Sequence, residues 1–205
     1  MPVQEMTESK SLTTIKDGIW RDHPIFSMLL GICSALAVSN RVENAIAMGA
    51  GVTFVLLATG ILVAFLRNFI PQRIRMITYM IIIASFVIIV DKFLKAFYPV
   101  ISESIGPYVG LIITNCIIMG RAEAFYIQNT LQQSILDAFA NGFGYTYTLV
   151  SIAIVRELLG FGTILRFQII PDDWTKWVVM AMAPGAFFVL SLFIWITRTL
   201  AKKEI

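Results

Sequence analysis

Long uncharged stretches alternate with short charged ones along the chain. Six uncharged runs stand out, at 24–40, 44–66, 76–90, 104–120, 138–155 and 177–197. A helix that crosses a bilayer needs about 20 apolar residues. The second and sixth runs reach that length. The third reaches it by running on past Asp91, Lys92 and Lys95 to Tyr98, and Asp91 and Lys95, four apart, can pair on one helix face. The fifth is close to full length and takes in a few residues at either end. The first and fourth trim to apolar cores at 25–38 and 108–120, only 14 and 13 residues. At ~1.5 Å per residue, such a helix falls short of a ~30 Å hydrocarbon core. Each is expected to be a broken helix or short half-helix. Its irregular backbone needs protein or a cavity to shield it.

Composition points to the same solvent. The chain has 205 residues, 58% of them apolar and 14% charged. A soluble domain is nearer a quarter charged. Two cysteines are too few for a disulfide scaffold, and a net charge of +3 is too small for a nucleic-acid binder. Residues 1–23 form a polar tail with no secretory signal pattern, and 24–205 form one membrane domain. The stretch 67–75 is a basic loop, 126–137 reads as a surface helix or loop, and 160–176 is the longest later connection. Trp20, Trp174, Trp177 and Trp195 fall near span ends, where an aromatic belt would anchor them.

If all six segments cross, the 16 Lys and Arg divide unevenly. Lys10, Lys16, Arg21, Arg67, Arg73, Arg75, Arg121, Arg198, Lys202 and Lys203 share one side with both termini. Arg41, Lys92, Lys95, Arg156, Arg166 and Lys176 take the other. The excess assigns both termini to the cytoplasm.

The two short segments match each other. Cys33 lies eight residues after Ile25, and Cys116 lies eight after Tyr108. Arg41-x-Glu43 follows the first cysteine and Arg121-x-Glu123 the second, each before a longer apolar run. Residues 24–98 and 108–205 therefore read as two copies of a three-segment unit. An odd number of segments inverts the second copy, an arrangement that transporters use to build midplane sites. The expected fold is an all-α integral membrane protein of six transmembrane segments in two inverted repeats. Eight helical residues from either surface is roughly 12 Å, close to half the ~30 Å core, so both thiols arrive near the bilayer centre.

Three readings of those thiols stand side by side. Cysteine packs well as a small hydrophobe; the two can form a disulfide; or they ligate metal. An iron–sulfur cluster wants about four ligands, so a second subunit would supply the other pair. Other chemistry is thin. His23 is the sole histidine, at the membrane edge, and no nucleotide-binding glycine loop is present. Gly142-Phe-Gly144 and Gly160-Phe-Gly162 read as caps and close packing. Asp91 is the only acidic candidate for an ion path along a span.

The motifs GICSALAV at 31–38, GLIITNCIIMGRAEAF at 110–125, IVDKFLKA at 89–96 and VRELLG at 155–160 carry a family resemblance. The chain resembles the Nqr/Rnf membrane subunits from Trp20 to Arg198. Ser34 and Gly110 favour the D subunit of sodium-translocating NADH:quinone oxidoreductases over the E subunit of Rnf complexes. The resemblance implies one subunit of a six-subunit complex in the bacterial inner membrane. It implies pairing with a homologous E subunit of opposite topology. Cys33 and Cys116 would be this chain's ligands to a 2Fe–2S cluster or iron centre shared at mid-membrane. Electrons from NADH would reach that centre through other subunits and drive sodium export. No flavin or nucleotide would bind this chain alone, and lipid would surround it. The alternatives are the Rnf E subunit and, from another class, a small inverted-repeat ion transporter.

Overall fold

The computed structural model describes residues 30–164, 167–168 and 182–202. The expectations for the tail at 1–23, His23, Trp20, Trp174, Trp177 and the start of the first run lie outside the described residues.

Helices carry the described chain. They are α1 (Ile32–Val38), α2 (Val42–Leu66), α3 (Arg75–Phe97), α4 (Pro99–Ile113), α5 (Cys116–Arg121), α6 (Leu131–Gly160) and α7 (Ala183–Lys202). A 3-10 turn, Gln72–Ile74, precedes α3, and a π segment, Ala122–Tyr126, continues α5. Two-residue strands β1 (Thr163–Ile164) and β2 (Phe167–Gln168) pair antiparallel after α6. Among the described residues, four stretches are long and apolar enough to cross a membrane: Val42–Leu66, Gln72–Phe97, Gly106–Tyr126 and Leu131–Gly160. Pro184–Thr197, within α7, is a shorter apolar helix. Large apolar side chains such as Phe54, Phe65, Ile77, Ile81, Phe139, Phe143 and Phe188 point outward. That outward apolar surface suits a bilayer as solvent.

Two expectations need correction, and the fourth segment takes one of the two forms expected of it rather than that of a single short half-helix. It is a broken helix whose two arms, α4 and α5, meet at Thr114 and Asn115, and Gly106–Tyr126 together is long enough to span. The stretch 126–137 is not a surface element throughout. Leu131–Asp137 opens α6, and Ser134 and Asp137 are buried there because Asp137 faces Arg121. Nor is Asp91 the only acidic group along a span, since Asp137 and Glu157 are both buried in α6. The extension of α3 past Asp91 holds, and Lys95 Nζ meets Asp91 Oδ2 at 2.6 Å.

The most extensive helix pair is α2 with α6, and its crossing is reciprocal. A Cβ on Gly49 of α2 would lie 2.6 Å from Thr146 Cγ2, and one on Gly142 of α6 would lie 2.7 Å from Thr53 Cγ2. Each threonine turns its hydroxyl back to its own helix, Thr53 to the Gly49 carbonyl and Thr146 to the Gly142 carbonyl, both at 2.8 Å. The two hydroxyl oxygens sit 3.3 Å apart across the crossing. Between apolar helices in lipid there is little hydrophobic drive to associate, so such close approach of small residues supplies the contact energy. Of the two glycine pairs, Gly142 thus serves close packing. Gly162, at φ 69°, ends α6, and its N–H bonds the Glu157 and Leu158 carbonyls.

The end of α6 also ties α1, the start of α2 and the residue before α7 together. Arg156 donates to the Leu36 carbonyl at the end of α1, to the Ser39 hydroxyl and to the Met182 carbonyl before α7. Glu157 Oε2 accepts the Val42 N–H at 2.8 Å, capping α2, whose first residues would otherwise lack a partner.

Candidate metal centre

Both cysteines sit within the first two residues of a helix. Gly31, at φ 81°, precedes α1, so Cys33 stands in that helix's first turn. Asn115, extended at ψ 118°, precedes α5, which Cys116 opens, and its Oδ1 accepts the Ile117 N–H at 3.3 Å. Asparagine is favoured at such a cap because its short carbonyl reaches a free backbone N–H. At Cys116 the helix that arrives from Pro99 stops at Ile113 and a second arm begins at the thiol, one of the two forms expected for this segment.

The two helix starts touch. Ser34, the residue after Cys33, donates its hydroxyl proton to the Gly31 carbonyl at 3.0 Å. Its oxygen then accepts from the Tyr145 hydroxyl at 2.6 Å and from Asn115 Nδ2 at 3.4 Å. So the residue following one cysteine bonds the residue preceding the other. Ser34, Asn115 and Tyr145 are all buried. Tyr145 fills the space a side chain at 31 would need: a Cβ there would lie 3.0 Å from Tyr145 Cε2 and 3.6 Å from Asn115 Oδ1. With φ positive as well, only glycine suits the position.

The thiols themselves are free, which removes the disulfide reading. Cys33 is exposed on the surface of the chain and Cys116 is half-buried. Among the described residues, no group of three or more His, Cys, Asp and Glu side chains comes together. The donor set this chain offers at the junction is two soft thiols that face out of its own core. That fits half of a four-thiolate cluster site and leaves room for a neighbour's ligands.

A second polar region surrounds the end of α5. Arg121 Nε meets Asp137 Oδ2 at 3.6 Å, and its Nη2 donates to Asn141 Oδ1 at 2.8 Å. Arg75 Nη1 meets Glu123 Oε1 at 3.4 Å. The Thr59 and Tyr126 hydroxyls are buried nearby with no hydrogen-bond partner among the described residues, and Tyr126 packs against Gly60. Buried polar atoms of this kind call for ordered water. Sequence reading misses this cluster because Arg121 and Asp137 lie outside the uncharged runs and resemble loop residues. Their 16-residue spacing across a turn gives no periodic signal. The matched Arg41-x-Glu43 and Arg121-x-Glu123 are not alike in space: Arg41 is exposed at the start of α2, whereas Arg121 is buried.

Helices with apolar exteriors, one of them broken just before a free cysteine, define a multi-pass helical membrane protein that carries two free thiols at helix starts. The chain belongs to the Rnf-Nqr family of membrane-protein subunits, whose pattern matches residues 11–194. It is 43% identical to the D subunit of the Na(+)-translocating NADH-quinone reductase of Chlamydia pneumoniae over 210 aligned positions, covering 97% of this chain and 99% of that protein. The D subunit from Chlamydia trachomatis serovar L2 is 44% identical over the same coverage. That of Chlamydia muridarum is 44% identical over 208 positions, covering 97% and 98%. These relatives are subunits of an oxidoreductase complex.

Proposed function

We propose that this chain is the D-type membrane subunit of a sodium-translocating NADH:quinone reductase, and that Cys33 and Cys116 are its two thiolate ligands to an iron–sulfur centre. A homologous E-type subunit supplies the remaining ligands, and a 2Fe–2S cluster fits a four-thiolate set. The observation that carries the reading is the bond between Ser34 and Asn115, which joins the two cysteine-bearing helix starts at one point. Such a centre, when bound, takes up and passes on single electrons. This chain's part is to hold the two sulfurs at a fixed separation. Cys33 and Cys116 supply negative soft donors, Asn115 and Gly31 set the backbone at each, and the surrounding helices exclude water. Nucleotide, flavin and quinone chemistry belong to other subunits of a six-subunit complex.

The same reading has six segments in two inverted repeats, in the bacterial inner membrane, with both termini in the cytoplasm. The reciprocal contacts of Gly49 with Thr146 and Gly142 with Thr53 support the repeat, since exchanging the two helices exchanges the contacts. Arg121 and Arg156 are buried and belong to no loop, yet one falls on each side of the basic-residue division, so its excess keeps the same sign.

Iron and acid-labile sulfide analysis of the D and E subunits purified as a pair tests the assignment. Iron and sulfide in about equal amounts support a shared cluster. A pair free of both, from a complex otherwise active, leaves the transporter reading.

A further inference from the structure

We infer that Tyr145 is a positioning residue for the metal centre, acting through Ser34 to hold Cys33 and Cys116 at one separation and so to set the centre's redox potential. The inference rests on the ligand assignment above and deepens it.

The geometry is specific. Each cysteine lies one residue from a member of the network: Ser34 follows Cys33, and Asn115 precedes Cys116. Ser34 has one proton and two lone pairs, and all three are used, toward Gly31, Tyr145 and Asn115. Two short helix starts joined only by the 3.4 Å bond between Asn115 and Ser34 could slide against each other. Tyr145 supplies the fixed reference. It comes from α6 and neighbours Thr146, which the Gly49 contact pins to α2. Its ring closes over Gly31 at one helix start while its hydroxyl grips Ser34, 111 residues away in sequence. Tyr145 and Ser34 are both nearly inaccessible, so no water competes for the bond. Hydrogen bonds and orientation behind the ligands are the usual means by which a protein tunes a cluster.

The test uses the whole complex purified in detergent, in wild-type, Tyr145→Phe, Ser34→Ala and Cys33→Ala forms. Tyr145→Phe keeps the ring over Gly31 and removes only the hydroxyl. Ser34→Ala cuts the same bond from the other end. Iron content, the EPR spectrum of the reduced centre and its midpoint potential are read for each. The expected result is wild-type iron in Tyr145→Phe and Ser34→Ala, with a midpoint potential displaced in the same direction in both and an altered EPR line shape. Cys33→Ala loses the iron. A tyrosine that only stabilises the fold would lower the melting temperature and leave potential and line shape at wild-type values; that outcome overturns the inference while Cys33→Ala keeps the ligand assignment intact. Loss of iron in Tyr145→Phe with an unchanged melting temperature supports a positioning role stronger than stated. Full iron in Cys33→Ala overturns the assignment and the inference together.

Discussion

Arg121 is the residue at which burial of charge decides most. It lies 6% exposed in the membrane domain, with Asp137 at 3.6 Å and Asn141 at 2.8 Å. Removing one partner of a buried pair costs about 3–5 kcal/mol, because the other charge is left without compensation. Arg121→Ala and Asp137→Ala are therefore each expected to lower the melting temperature of the complex sharply. The double variant is expected to be more stable than the sum of the two losses, and thermal unfolding of the four forms checks it. Glu157 is a milder case. Its carboxylate caps Val42 N–H at 2.8 Å, and loss of such a cap costs about 0.5–2 kcal/mol, so Glu157→Ala should destabilise while Glu157→Gln, which keeps an acceptor oxygen, should lose less. At this scale the sequence is legible where chemistry is rare. Two cysteines alone in 205 residues, at matched distances from matched run starts, mark the candidate site by themselves. Ser34, Asn115 and Tyr145 are not legible as partners, since their meeting depends on three elements folding together.

Among the helices, the crossing of α2 and α6 sets the frame on which the two helix starts are hung. In Gly49→Ala the new methyl would meet Thr146 Cγ2 at 2.6 Å, and in Gly142→Ala it would meet Thr53 Cγ2 at 2.7 Å, both inside any normal contact. Each threonine is held by its own bond to the helix, so neither turns away freely. Overpacking of this kind costs about 1–3 kcal/mol. The two alanine variants should lower stability by similar amounts, as reciprocal contacts require. Gly49→Ala combined with Thr146→Ala should recover part of the loss, read by thermal unfolding in detergent. Run length foretells α2 and α3 within a few residues, because an uncharged stretch in lipid has little choice but helix. For the fourth segment it foretells a broken helix or half-helix but not where the break falls. The apolar pattern at 108–120 runs through it, and the only polar interruptions are Thr114 and Asn115, the latter a good cap. The π segment Ala122–Tyr126 has no sequence signature at all. The first turns of α6 read as surface because Gln132, Gln133, Ser134 and Asp137 are polar, yet Ser134 and Asp137 face inward to polar partners.

For the whole molecule, the proposed shared site and the apolar exterior bear on topology and on assembly. The proposed cytoplasmic location of the termini predicts that alkaline phosphatase fused after Ile205 is inactive, whereas a fluorescent reporter that folds only in the cytoplasm is bright there; an active phosphatase would reverse the topology. A chain that exposes Cys33 and breaks a helix between Ile113 and Cys116 needs neighbours to shield those backbone groups. Expressed without other subunits, it is expected to aggregate or be degraded, and a folded, monodisperse product in size-exclusion chromatography would contradict that. The central claim is narrower than either: two sulfurs from this chain bind iron in the membrane. The iron content of the purified complex carrying Cys116→Ala, measured beside its quinone reductase rate, tests it most directly. The account predicts that the centre's iron is lost and electron flow from NADH to quinone stops, with the other subunits still assembled. A Cys116→Ala complex with full iron and normal turnover would contradict it, and would leave Cys116 as a packing residue.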